Sequence, residues 1–376
     1  MGIKFPEIKN RFGFGCMRLP LLENGNVDIE EFKKMVDLAL GAGCNYFDTA
    51  HVYIYGKSEL AIKEALSKRY PRESFVLTDK LSSRTFTKEE EIIPMIESEL
   101  AACGVDYFDF LLMHAQSEKN YEQYQNCHAY EKGVELRKLG KIKHLGISFH
   151  DTPEFLDKIL TDHPEVEVVQ LQFNYLDYHN PNVQSKGCYD VCLKHHKPVI
   201  VMEPIKGGEL ANLSEDAIKI LKEELGEVNQ SYASYALRFA LSFDNNIVVL
   251  SGMSNLAQME DNLKNCVPFV PLSEKEIKAI NKVADYLSHE PLIGCTGCRY
   301  CVPGCPKHIA IPDLFRLSNR RKKLENIWSI LGEYKETLEK GSSPASACIK
   351  CGACERICPQ KLKIREHLEE VKKQFE

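Results

Sequence analysis

The chain has 376 residues, 44% of them hydrophobic, and 48 Lys and Arg against 54 Asp and Glu give a formal net charge of -6. That length exceeds one ordinary domain and can build a sizeable core, while a pI near 6.1 argues against a nucleic-acid surface, which needs clustered Lys and Arg to displace counterions. No run of about 18 apolar residues offers a membrane span, and no apolar h-region follows Met1, so the fifteen cysteines are expected to stay reduced, in the cytoplasm, rather than pair as secreted disulfides.

Apolar runs recur in chain order as RFGFG, NYFDTA, FVLTDK, DYFDFLLMH, IKHLGIS, VEVVQLQF, PVIVME and NNIVVLSG. Between them lie helical patterns, the first carrying Ile29, Phe32, Val36 and Ala39 on one stripe. Start signals accompany them: Asp28 stands three before Glu31, Thr87 three before Glu90, Thr152 just before Pro153, and Ser273 three before Glu276. Eight strand-then-helix units with near-continuous apolar strands predict a (β/α)8 TIM barrel over residues 1–287. An open doubly wound sheet is the alternative, although the GFG after the first strand is too short for a dinucleotide-binding fingerprint.

Barrel chemistry sits where strands end. The second apolar run closes at Asp48, the third at Lys80, the fourth at His114, the fifth at Ser148, the sixth at Gln170, the seventh at Glu203 and the eighth at Ser251, with Tyr53 in the loop after Asp48. Singly these are ordinary, since a strand-end Lys often snorkels and a lone His is often a satisfied core residue. Together they make a proton-transfer set: an ammonium favours the phenolate of a neighbouring Tyr, and a carboxylate keeps that ammonium charged. Tyr55 is a second phenol in the same loop.

These segments resemble the aldo-keto reductases. FDTAHVYIYGKSE, TDK and LLMHA are similar to that family's motifs, and the resemblance implies a catalytic tetrad of Asp48, Tyr53, Lys80 and His114. In it Tyr53 protonates the carbonyl oxygen, Lys80 lowers the Tyr53 pKa, Asp48 anchors Lys80, and His114 orients the substrate. GMSNLAQMEDN resembles the segment that grips the adenosine end of NADP, implying Gly252, Ser254, Gln258, Asp261 and Asn262. Ser148 and Gln170 match the pair that binds the nicotinamide carboxamide. Met202, Pro204, Ile205 and Lys206 complete the implied nucleotide contacts, with Met202 where many members stack an aromatic ring, Phe149 and His150 where many carry Asn, and Lys206 as partner for a 2′-phosphate. The resemblance implies NADP(H) or NAD(H) as cofactor and a small carbonyl or alcohol as substrate.

The remaining residues, 288–376, hold two copies of one pattern: Cys295-x2-Cys298-x2-Cys301-x3-Cys305-Pro306 and Cys348-x2-Cys351-x2-Cys354-x3-Cys358-Pro359. This is the ligand spacing of a two-cluster bacterial-type ferredoxin, in which the fourth cysteine of each run ligates the other cluster. Cys295, Cys298, Cys301 and Cys358 are therefore assigned to one 4Fe-4S cluster, and Cys348, Cys351, Cys354 and Cys305 to a second. Zinc is the alternative for CxxC pairs, but four tetrahedral ligands leave the repeated third cysteine without a use. Cys16, Cys44, Cys103, Cys127, Cys188, Cys192 and Cys266 read as small core residues.

Residues 309–346 are rich in helix formers, with Pro312 and Pro344 at helix boundaries. This resembles an all-helical ferredoxin domain, and the whole chain resembles the aldo-keto reductases that carry a C-terminal iron-sulfur extension. The expectation is a barrel that moves a hydride between NAD(P)H and a carbonyl or alcohol, with clusters on a separate helical appendage for electron transfer, sensing or structure. A flavin as bridge and a ferredoxin or other electron-carrier protein as partner belong to the alternative of a ferredoxin-coupled oxidoreductase; a nucleotide-bound redox sensor without turnover is a further one.

Overall fold

In the computed structural model, which describes residues 5–228, 230–323 and 327–376, eight parallel strands pair in chain order and close on themselves. They are β1 (Phe12–Gly15), β2 (Tyr46–Asp48), β3 (Val76–Leu81), β4 (Phe108–Gln116), β5 (Ile142–Phe149), β6 (Val168–Gln172), β7 (Val199–Met202) and β8 (Asn246–Gly252). Closure comes from β1, whose Gly13 lies opposite Tyr46 of β2 on one side and Leu250 of β8 on the other. Each strand is covered on both faces, by barrel filling and by helices, which is why its sequence is nearly all apolar instead of alternating.

The period-2 alternation then sorts what points inward. Phe110, Leu112, Val168, Ile200, Val248 and Leu250 stack inside with Tyr46, and Phe5 and Ile8 join them; Phe5 packs edge-on against Phe110 with centroids 5.0 Å apart. Continuing the same faces toward the C-terminal ends gives Asp48, Lys80, His114, Ser148 and Gln170. The polar set is thus raised onto an apolar floor.

Helix starts follow the sequence signals with one shift. Asp28, Thr152 and Ser273 accept from the backbone N–H three residues on, and Ser273 with Glu276 completes a capping box. At the third helix it is Glu91, not Glu90, that accepts from the N–H groups of Thr87 and Lys88. The seven isolated cysteines are all buried. After the helix Glu274–His289 the chain forms a second apolar cluster around Ile309, Leu314, Phe315, Ile330, Leu368 and Val371, built from the helices Ile311–Lys322, Ile327–Glu339, Ala353–Ile357 and Ile364–Phe375. No described helix is long and apolar enough to cross a membrane.

Gly146 on β5 faces the barrel interior, where an added Cβ would sit 2.6 Å from Leu112 Cδ2 and 2.8 Å from the Val168 carbonyl oxygen. The carbonyl belongs to a neighbouring strand and cannot swing aside. Gly146→Ala is expected to destabilise the barrel by about 1–3 kcal/mol through overpacking, read as a lower denaturant midpoint.

Candidate active site

Lys80 is 1% exposed and its ammonium donates to Asp48 Oδ1 at 2.6 Å and to the Thr49 carbonyl at 2.7 Å. The second Asp48 oxygen accepts from Gln170 Nε2 at 2.8 Å, so a side chain of β6 helps to hold a carboxylate of β2. The Lys80 ammonium also lies 4.7 Å from the Tyr53 ring centroid, a cation–π contact, and Tyr53 meets His114 edge-on with ring centroids 6.2 Å apart. The four residues of the expected tetrad therefore meet at one end of the barrel.

Local backbone turns place two of them. Ile54 and Tyr55 have φ of 50° and 56°, an uncommon region for a β-branched residue, and this twist buries Tyr53 while leaving Tyr55 68% exposed. In β4 the register with β5 shifts between Met113 and Gln116, and the Ala115 N–H, at φ 52°, donates to Ser148 Oγ at 2.7 Å. Bulges of this kind re-aim a side chain beside a site, and the side chain here is His114.

Burial, reinforced by Asp48, holds the Tyr53 phenol well above its ordinary pKa. The Lys80 ammonium, 4.7 Å from the ring centroid, does not reverse that direction in the resting site. Burial, followed by the charge of Lys80, holds His114 well below its ordinary value, so its imidazole is neutral, with Nδ1 buried and without a partner. His150 is pushed down to about 4 by burial and by Lys361.

Tyr53 and His114 open onto a cavity of about 670 Å³, and of the expected nucleotide contacts Ser148, Gln170, Met202, Pro204, Ile205, Gly252, Ser254, Gln258, Asp261 and Asn262 all line it. Its far end meets the start of the helix Leu256–Cys266, where the Leu256 N–H donates to Glu31 Oε1 and the Gln258 N–H to the capping Asn255 side chain. Lys206 is the exception. It is buried and bound to the buried carboxylate of Asp177, which needs a cation more than solvent does, and it is absent from the cavity wall. Arg18, just after β1, lines the cavity instead; the first strand's end carried that signal in GCMRL.

The paired cysteine runs do not form a separate appendage. Thr296, Cys298, Tyr300, Pro359 and Gln360 form part of the same cavity wall as Tyr53 and His114. Tyr300 stands edge-on to His114 with centroids 6.3 Å apart, and the Arg84 guanidinium lies 4.9 Å from its ring. Arg18 Nη2 donates to the Thr296 carbonyl at 2.5 Å, and Gln172 and Gln360 exchange amide hydrogen bonds of 3.1 and 2.9 Å while buried. Approach is close enough that a Cβ on Gly207, already at φ +65°, would lie 2.5 Å from Thr296 O. No spacing rule could have found this.

None of the eight paired-run cysteines forms a disulfide. Cys295, Cys298, Cys301 and Cys358 lie close enough to feel one another's charge, and Cys354 feels that of Cys348. Cys358 of the second run thus lies near Cys295, Cys298 and Cys301 of the first.

A model of the aldo/keto reductase family matches residues 11–285. The chain belongs to that family. Residues 294–362 match a model of a 4Fe-4S dicluster domain, so this aldo/keto reductase barrel carries an iron-sulfur module. The chain is 25% identical over 292 residues to the uncharacterized oxidoreductase YqkF of Bacillus subtilis (strain 168), covering 71% of this chain and 90% of that protein. Among solved structures, an aldo-keto reductase from Klebsiella pneumoniae in complex with NADPH superposes with a TM-score of 0.58 at 18% identity, over 76% of this chain and 93% of the other. The iron-sulfur end is 29% identical over 101 residues to the probable glycolate oxidase iron-sulfur subunit of Bacillus subtilis (strain 168), covering 27% of this chain and 22% of that protein.

Lys80→Met leaves Asp48 as an unpaired charge in the barrel and should cost about 3–5 kcal/mol, seen as a drop in the thermal midpoint. Adding Asp48→Asn should restore most of that loss.

Proposed function

We propose that the barrel reduces a small carbonyl compound, or oxidises the matching alcohol, using a nicotinamide dinucleotide held along the cavity from Met202 to Asn262. The observation that carries this reading is the single cavity wall shared by Tyr53, His114 and the contacts for both ends of the nucleotide. The bound dinucleotide supplies the hydride. Tyr53, kept protonated by burial, gives its hydroxyl proton to the carbonyl oxygen, and the adjacent Lys80 ammonium stabilises the phenolate left behind. Asp48 and Thr49 fix the ammonium in place. Neutral His114 donates a hydrogen bond to the same oxygen without adding a positive charge that would compete with Lys80.

The dicluster module is held by Cys295, Cys298, Cys301 and Cys358 around one 4Fe-4S cluster and Cys348, Cys351, Cys354 and Cys305 around the second, with the barrel taken as residues 1–287 and the module as 288–376. Each cluster supplies one-electron storage. Tyr300 and Cys298 make the module a wall of the substrate site, so its folding shapes what the barrel accepts. Fifteen cysteines without a disulfide suit a reducing compartment such as the cytoplasm.

A second reading is favoured by Cys298 itself, a cluster ligand facing the cavity. In it electrons pass between the cavity and the clusters, with a flavin converting the two-electron hydride into single electrons and a ferredoxin-type carrier as partner. A flavin spectrum that survives cluster removal supports it, and protein that is colourless after cluster removal counts against the flavin.

Tyr53→Phe should lower carbonyl reduction by about 10²–10⁴-fold while NAD(P)H still quenches protein fluorescence, and exposed Tyr55→Phe should keep the rate; equal rates for wild type and Tyr53→Phe refute the assignment. Tyr300→Ala, with iron content unchanged, should change KM among carbonyl substrates of different size. Unaltered KM values across such a series would place Tyr300 outside the substrate site.

A further inference from the structure

Behind β3, on the face turned away from the cavity, the fold gathers charge that carbonyl reduction does not use. Asp79 is 0% exposed, Glu59 in the helix Lys57–Ile62 is 1% exposed and Glu99 in the helix Ile92–Cys103 is 0% exposed. Asp79 is satisfied, accepting from the Lys80 N–H at 2.8 Å and from Cys103 Sγ at 3.6 Å. Glu59 Oε2 pairs with His51 Nδ1 at 3.0 Å. Glu59 Oε1 and both oxygens of Glu99, however, are buried with no hydrogen-bond partner.

An unpartnered carboxylate inside a protein is strongly disfavoured, and a second and third beside it more so. The nearest buried ammonium, Lys80, is already committed to Asp48 and the Thr49 carbonyl. Either protons or a cation must compensate the group. Burial and the nearby charges of Asp79 and Glu59 push the Glu99 carboxyl well above its usual range, so a cation entering here displaces a proton. One ligand atom from each of His51, Glu59 and Glu99 lies within 4.8 Å of the other two. That separation suits a cation between them, with bonds of about 2.0–2.2 Å on each side.

We propose that His51, Glu59 and Glu99 bind one divalent transition-metal cation. One imidazole with two carboxylates suits ions such as Zn²⁺ or Mn²⁺, whereas Ca²⁺ and Mg²⁺ favour all-oxygen sites. The His51 side chain is 40% exposed and gives the ion a route from solvent, while the Glu59 side chain, 2% exposed, and Glu99 close the inner side. Asp79 adds negative potential without being a ligand. The ion would tie the loop after β2 to two helices of the barrel wall. His51 stands two residues before Tyr53, so the site braces the loop that carries the phenol and takes no part in proton transfer itself.

The test is a titration of cluster-loaded protein with Mn²⁺ alone, following loss of the free ion's EPR lines, with iron measured on the same samples. Wild type should take up one equivalent. Glu99→Gln should weaken uptake by about tenfold or more with iron unchanged, and His51→Asn, at the exposed rim and harmless to the core, should do the same. Zn²⁺ should displace the bound Mn²⁺. Mn²⁺ that stays free throughout the wild-type titration, or uptake that neither substitution weakens, overturns the proposal.

Discussion

A lysine and an aspartate share the inside of the barrel, and most of what is distinctive above the apolar floor depends on how that pair is satisfied. With side chains 1% and 4% exposed, both lose nearly all their hydration, a penalty that Coulomb attraction alone repays poorly. Every strong group around them therefore serves them: the Thr49 carbonyl takes a second ammonium proton, and Gln170 donates to the second carboxylate oxygen. The consequence for Tyr53 is geometric. The ammonium, held by Asp48, lies 4.7 Å from the Tyr53 ring centroid, and burial raises the phenol's pKa.

The second constraint is the dicluster module's position over the barrel mouth. Thr296 is reached by Arg18, and Gln360 pairs with Gln172, so two loops of the module are pinned by buried polar contacts from opposite sides of the barrel. Tyr300, between two cysteines of the first run, then has nowhere to go but over His114. A residue that merely spaces two cysteines in the sequence becomes, through this docking, a neighbour of the proton-transfer groups.

The strands, most helix starts and the meeting of Asp48, Tyr53, Lys80 and His114 were legible because each is a local signal: a period, a cap, a polar residue closing an apolar run. The separation of Tyr53 from Tyr55 was legible only as spacing, and the structure supplies its cause in two left-handed residues. What the sequence left hidden is tertiary. Lys206 looked available for phosphate until Asp177, whose burial no pattern announces, claimed it. Arg18, Thr296, Tyr300 and Gln360 join the cavity only because two halves of the chain dock, and the unsatisfied Glu99 sits in a helix stripe whose pattern does not announce a charge.

The order of the chain gives the docked module one more meaning. Barrel strands leave the ribosome first, and N-terminal domains generally fold first, while the wall formed by Thr296, Cys298 and Tyr300 comes from a segment lacking regular secondary structure between Glu290 and Tyr300. A newly made barrel is thus a vessel without its cover. The last-made part of the chain closes a cavity whose other walls come from the first-made part, and a barrel ending before Thr296 would leave His114 without the ring of Tyr300 across from it.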